Sequence, residues 1–309
     1  MAIPLKIRLP ESVSQERGMA IEKSHCWICG SEALELVKPS NIQDALTSDS
    51  FSITDSHYGM TGAIYRCASC DFLQCSELTE VVPFYEGLMD RAYDDGRRER
   101  SIQARKILEI VRKLQPAGRL LDIGAGSGFL VEQAIQMGYR AEGIEPSGWL
   151  QKMARERSLP VQVGTFPHPS VSGPFDVITL IDVVEHVSEP VALLTHIAEG
   201  LAPDGTAIIV TPDVESIAAR VLGWKWWHFR VAHIGYFNKR NLFLALGRAG
   251  LKPILVRRPG WFFTADYLWE RVNRYLPRPL RMASPRFLAK QVIPVNPRDS
   301  WLVACKRKA

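Results

Sequence analysis

Residues Leu120-Leu-Asp-Ile-Gly-Ala-Gly-Ser-Gly-Phe-Leu130 run from an apolar strand through a glycine-rich turn into the start of a helix. Glycines let a backbone turn tightly and come close to a ligand, and a helix N-terminus offers free N–H groups. Outward from this stretch, strand and helix patterns alternate from Arg119 onward, as in a parallel α/β sheet. Strands are expected at 119–124, 140–145, 160–164, 175–182, 206–211, 252–258 and 301–307, with helices at 127–138, 147–157, 190–201 and 239–249.

The strand after the turn ends Gly143-Ile-Glu-Pro-Ser147, which places Glu145 21 residues beyond Gly124. An acidic side chain there can accept hydrogen bonds from both hydroxyls of a ribose. A dinucleotide fingerprint needs glycine at its sixth position, where this chain has Phe129. Asp122, just before the turn, suits a cationic ligand head and would repel a pyrophosphate. A nucleotide-dependent dehydrogenase is therefore disfavoured.

Over about residues 100–260 the chain resembles the class I S-adenosylmethionine-dependent methyltransferases. The resemblance is carried by Leu-Asp-Ile-Gly-Ala-Gly-Ser-Gly and Gly-Ile-Glu-Pro-Ser. It continues in Phe175-Asp-Val-Ile-Thr-Leu-Ile-Asp-Val-Val-Glu-His-Val187, Leu201-Ala-Pro-Asp-Gly-Thr-Ala-Ile-Ile-Val-Thr-Pro212 and His233-Ile-Gly-Tyr-Phe237. It implies a Rossmann-like α/β fold with a seven-stranded sheet, and S-adenosylmethionine as cofactor. By the same resemblance Asp122, Gly124, Gly126 and Gly128 hold the methionine part, Glu145 the ribose, and Thr165 and Phe166 contact adenine. Asp182 joins this cofactor-binding set.

The sulfonium of S-adenosylmethionine is already a strong electrophile, so the protein must mainly align an acceptor and, where needed, remove a proton. His186, at the end of the fourth strand, is a candidate base, and His233 and Tyr236 are candidates to reach over the cleft. Asp182-Val-Val-Glu185-His186 also resembles a Glu-x-x-Glu-His pattern that binds a divalent metal in some O-methyltransferases.

Upstream lie two Cys-x-x-Cys pairs, Cys26/Cys29 and Cys67/Cys70, separated by 37 residues. Four thiolates suffice for a closed tetrahedral zinc site, which reads as a structural staple for a module too small for its own core. The expected organisation is a flexible N-terminus (1–25), a zinc-ribbon-like module (26–82), a helical connector (83–118) and the methyltransferase domain (119–309).

The net charge of +5 is unevenly spread. Residues 1–100 carry 10 basic and 16 acidic side chains, 101–250 carry 15 and 14, and 251–309 carry 13 and 3. An insertion at about 259–298 sets Trp261-Phe-Phe263, Tyr267, Trp269 and Tyr275 among Arg271, Arg274, Arg278, Arg281 and Arg286. Such a segment suits peripheral contact with an anionic membrane, or a nucleic-acid backbone. The tryptophans of Leu222-Gly-Trp-Lys-Trp-Trp-His-Phe229 suit either stacking on an acceptor or plugging the sheet. With no apolar run long enough to span a bilayer and no signal-like N-terminus, the expected location is the cytoplasm, at most peripheral at the inner membrane surface. The expected function is methyl transfer to a small-molecule, sugar or lipid-linked acceptor. The alternative is an RNA methyltransferase with an N-terminal zinc module, which the net negative charge of the cysteine region disfavours.

Overall fold

The computed structural model describes residues 25–54, 58–79, 81–277, 281–285, 288 and 291–308. The flexible N-terminus expected over residues 1–25 falls almost entirely outside them, as do Arg278 and Arg286.

The cysteine region holds three short strands, β1 (Leu34–Lys38), β2 (Ile64–Cys67) and β3 (Leu73–Gln74). Three helices follow: α1 (Val82–Glu86), α2 (Arg91–Asp95) and α3 (Arg97–Val111). Next come β4 (Arg119–Ile123), α4 (Phe129–Gln136), β5 (Arg140–Glu145), α5 (Gly148–Glu156), β6 (Val161–Val163) and β7 (Phe175–Ile181). After these lie α6 (Pro190–Gly200), β8 (Leu201–Pro212), α7 (Ile217–Leu222), β9 (Gly235–Tyr236), α8 (Lys239–Arg248) and β10 (Leu251–Arg257). The chain closes with β11 (Trp261–Thr264), α9 (Ala265–Tyr275), β12 (Val292–Val295) and β13 (Ser300–Arg307).

The main sheet has seven strands in the order β10-β13-β8-β7-β4-β5-β6. β4, β5, β6, β7 and β8 pair in parallel, and β13 enters antiparallel between β8 and β10. This is the Rossmann-like class I methyltransferase sheet, and all seven expected strands are in it. Its two faces follow from the two-residue side-chain period of a strand. Leu120, Val177 and Ile208 point to one core, with Leu108, Leu130 and Ala154. Their neighbours Leu121, Ile178 and Ile209 point to the other, with Leu194, Leu242 and Phe237. The reversal of strand order between β4 and β7 opens a crevice at the strands' C-terminal ends, where ligands of such sheets bind.

The cysteine region does not stand apart from this domain. Cys26, Cys67, Cys70 and Phe72 belong to the same buried cluster as Leu194 and Phe237, and the Phe72 and Phe237 rings lie 4.9 Å apart. β9 completes the small sheet β1-β2-β3-β9 by pairing Tyr236 with Leu73 and Gly235 with Gln74. The insertion before β13 forms the hairpin β11/β12 with α9 between its strands.

Candidate functional site

At the C-terminal ends of β4, β5 and β7 lies a cavity of 630 Å³ lined by Asp122, Gly124, Glu145, Asp182, Thr165 and Phe166, among others. The turn after β4 is built for close packing. Gly124 and Gly126 have φ values of +75° and +55°, a region that disfavours side chains. A Cβ at Gly124 would meet Val183 Cγ2 at 2.4 Å, and one at Gly126 would meet the Tyr93 hydroxyl at 2.5 Å. Gly126 and Gly128 shape the turn from beneath, and Gly124 is the glycine of the three that lines the cavity.

Three carboxylates surround this turn. Glu145 is fixed by two backbone donors: Gly126 N–H on Oε2 and Ser147 N–H on Oε1, each at 2.8 Å. Ser147 also caps α5 by accepting from Leu150 N–H, which ties the acid to the next helix. Asp122 Oδ1 accepts from the Thr179 hydroxyl at 2.6 Å. Asp182 closes β7 in a left-handed conformation (φ +51°), and its Oδ1 is buried with no partner among the described residues. Burial pushes each of these acids up to about 7; the Glu145 charge adds to this at Asp122, and Asp299 does so at Asp182. None of the three forms an ion pair among the described residues. Buried acids without a counter-ion are costly, so this end of the cavity is complementary to a bound cation.

Two residues at this end escaped the sequence reading. Tyr93 and Arg100 line the cavity from α2 and α3, with the Arg100 guanidinium 3.9 Å from the centre of the Tyr93 ring and its Nε donating to the Tyr93 carbonyl at 3.2 Å. The charged connector is therefore a wall of the site. Arg97 to Glu132 (2.5 Å), Arg157 to Asp94 (2.7 Å) and the Ser127 hydroxyl to Asp94 (2.8 Å) hold it on the domain. The signal available was the aromatic and arginine seven residues apart, on one face of a helical pattern.

The other end of the cavity is built differently, from Phe51, Tyr85, His186, His228, Arg230 and His233; Trp261, packed against the α3 cluster, and Phe262 also line the cavity. His186 sits on a short helical turn after β7, and its Nδ1 lies 2.6 Å from the Ala232 carbonyl. A carbonyl only accepts, so Nδ1 carries the hydrogen and Nε2 of the neutral ring keeps its lone pair. The Tyr85 hydroxyl lies 2.7 Å from the same Nδ1. Burial lowers His186 to about 4. The His233 ring meets His186 edge-on at 4.7 Å and stacks on His228 at 5.4 Å. Its Nδ1 has no partner among the described residues, and burial holds it well below the usual imidazole range. Glu185 is buried too, accepting from the Thr211 hydroxyl on Oε2 and leaving Oε1 without a partner among the described residues.

Two expectations meet a different geometry here. Tyr236 does not line the cavity: pairing of β9 with β3 turns its ring toward Phe229, 4.9 Å away in the Trp226 cluster. Asp182 does not join Glu185 and His186 in a metal-sized cluster, whereas His233 does, the three ligand atoms lying within 4.8 Å of one another. The cap tryptophans take the plugging alternative. Trp226 is fully buried against Phe229, Trp227 donates its ring N–H to Asp299 at 2.9 Å, and neither lines the cavity. Trp261 and Phe262 line it instead.

The four cysteines converge, all Sγ atoms lying within 4.8 Å of one another, with Cys26 to Cys70 and Cys29 to Cys67 each at 3.5 Å. Cys26 is pulled down to about 5 by the hydrogen bond from Cys70, which is itself pushed up by the same contact. Tetrahedral zinc with bonds of about 2.3 Å needs sulfurs about 3.8 Å apart, so the donor set fits that ion.

The methyltransferase-domain family matches residues 93–256, more than half of the chain. The chain belongs to this family. It is 34% identical over 104 residues to the ubiquinone biosynthesis O-methyltransferase of Xanthomonas campestris pv. campestris (strain B100), covering 31% of this chain and 44% of that protein. Against the ubiquinone biosynthesis O-methyltransferase of Cereibacter sphaeroides (strain ATCC 17029 / ATH 2.4.9) the identity is 31% over 173 residues, covering 51% and 69%. The chain thus spans less than half the length of the first of these relatives. Among solved structures it resembles a chain of the complex between the Haloferax volcanii Trm112 methyltransferase activator and a methyltransferase, at 16% identity and a TM-score of 0.50, covering 71% of this chain and 95% of that one. That likeness concerns the fold alone.

Proposed function

We propose that the protein is an S-adenosylmethionine-dependent methyltransferase acting on a small-molecule acceptor that presents a hydroxyl. The observation that carries this reading is the ring of buried carboxylates without counter-ions around the glycine turn. Asp122, Asp182 and the turn receive the cationic methionine part. Glu145, with a free lone pair on each oxygen, receives the ribose hydroxyls, and Thr165 and Phe166 flank the adenine. Bound there, S-adenosylmethionine supplies an electrophilic methyl group. The chain's own residues align the acceptor and exclude water. Nε2 of the neutral His186 accepts the acceptor's proton, and His233 packs behind it. The two relatives above are O-methyltransferases by name, which supports a hydroxyl acceptor.

As part of the same reading, Cys26, Cys29, Cys67 and Cys70 hold a structural zinc ion that fixes the module against β9. One equivalent of zinc per chain by plasma emission spectroscopy is expected; metal-free, folded protein would remove it. The test of the activity is transfer of labelled methyl from S-adenosylmethionine to a panel of catechols. Transfer to one or more of them is expected, and a protein that binds no cofactor would end the reading.

Peripheral membrane contact is a secondary part of this proposal, supported by exposed Val272 on α9 and Leu276 just after it, beside the exposed Arg274. Arg271 instead turns inward, donating to the Tyr58 hydroxyl and the Thr54 carbonyl, each at 2.6 Å. Among the described residues no helix is long and apolar enough to cross a membrane. Failure to sediment with anionic vesicles at low salt would discard this part alone. Nothing in the site favours the RNA alternative.

A further inference from the structure

Arg230 stands out at the acceptor end of the cavity. Its Nη1 donates to the Ile53 carbonyl at 3.0 Å and its Nη2 to the Ser52 carbonyl, so both bonds go to neutral acceptors. Its Nε is buried and has no partner among the described residues, and no carboxylate among them ion-pairs with it. Elsewhere the chain treats a partly buried guanidinium otherwise: Arg258 pairs with Asp213 at 2.6 Å. A guanidinium in a partly dry cavity without an anion is an unmet electrostatic demand. Its field reaches the whole pocket end: burial pushes the Tyr85 phenol up and Arg230 opposes that rise, and burial keeps His186 and His233 neutral with Arg230 adding to the effect. The cavity's acids near the turn cannot answer that demand, because in the reading above they face the cationic cofactor. The walls beside Arg230 are aromatic: Phe51 packs with Val231 and Ala232, and the Tyr85 phenol lies within reach of the guanidinium's field, while Trp261 and Phe262 line the same cavity.

We infer that the acceptor is an aromatic hydroxyl compound bearing an oxyanion, a carboxylate or a phosphate, and that Arg230 recognises this anion. Arg230 is thus a specificity residue, and neutral catechols are poor ligands. The inference rests on the methyltransferase reading.

The test is calorimetric titration of the full chain, saturated with S-adenosylhomocysteine, with four probes: 3,4-dihydroxybenzoate, 4-hydroxyphenyl phosphate, and the neutral 3,4-dihydroxybenzamide and catechol. The wild-type protein should bind at least one anionic probe about tenfold or more tightly than the neutral ones, and the better anion identifies the group. Arg230→Gln should erase that preference, and Arg230→Lys should retain part of it. A clip holding residues 52–53 in place would behave differently: Arg230→Gln would then weaken charged and neutral probes alike and lower the melting temperature, and the preference would survive. Equal binding of anionic and neutral probes by the wild type, or no binding of the anions while S-adenosylhomocysteine still binds, overturns the inference. Loss of S-adenosylhomocysteine binding itself would instead overturn the methyltransferase reading.

Discussion

The two ends of the one cavity are opposites. Around the glycine turn the walls are acidic: Asp122 and Glu145 are buried, Asp182 Oδ1 is buried, and none of the three forms an ion pair among the described residues, with Arg100 the cation that shares this end. Beyond Asp182 they are basic and aromatic, with three histidines and Arg230. The ends also differ in construction. The acidic end stands on β4, β5 and β7, at the heart of the sheet. The basic end is assembled from loops and from the cysteine region. Cys75 N–H bonds the Ile234 carbonyl at 2.8 Å, and Ile234 N–H bonds the Glu185 carbonyl at 2.9 Å, so a backbone ladder runs from the small sheet to the histidines. A stable sheet can hold an invariant cofactor while a separate, stapled module shapes the acceptor space, so each can change without the other.

This contrast can be broken in stages. The largest effect is expected at the basic end. His186→Ala should lower kcat by about a hundredfold or more, the usual worth of a positioned base, and leave S-adenosylhomocysteine affinity within about twofold. Equal loss in cofactor binding would show that the ends are not separable. Next, stripping zinc with a chelator should lower the melting temperature and deprotect the amides of residues 231–237 in hydrogen exchange, with the β4 and β5 amides unmoved. Uniform deprotection would mean that the module supports the whole sheet.

A smaller effect concerns pH. Asp122, Glu145 and Asp182 have folded values raised to about 7, above the unfolded ones. Their neutral forms therefore favour the fold at low pH, and this contribution is lost as pH rises through about 7. Stability of the cofactor-free protein should fall from about pH 5 to pH 8 by an amount on the order of a few kcal/mol. S-adenosylmethionine should bind more tightly over the same interval, since a cation favours the ionised acids. Calorimetry in buffers of differing ionisation heat would detect the matching proton release. The smallest effect is at Tyr236, whose hydroxyl is buried without a partner among the described residues and outside the cavity. Tyr236→Phe should leave turnover within about twofold and add about 1 kcal/mol of stability.

The acidic end was legible in the sequence because its parts are local: a strand, a glycine turn, and an acid at the end of the next strand. Most of the seven strands were equally plain, as apolar runs between turn residues, whereas β5 (Arg140–Glu145) is half charged and was marked by its place in the strand-helix alternation. The basic end was not, because it depends on non-local contacts with weak local signals. β9 is two residues long, and its pairing with β3 turned Tyr236 away from the cleft where chain order had suggested it. The cap tryptophans, Tyr93 with Arg100, and Arg230 acquire their places from packing between segments far apart in sequence. The cysteine spacing announced a cluster but gave no sign that it shares a core with Phe237.

The central claim is that the acidic end holds S-adenosylmethionine. Calorimetric titration of the wild-type protein and of Glu145→Ala with S-adenosylhomocysteine tests it most directly. Micromolar binding, weakened by about 1–3 kcal/mol when the carboxylate that receives the ribose is removed, is the expected result. Absence of binding to the zinc-replete wild type, or binding indifferent to Glu145, would contradict it.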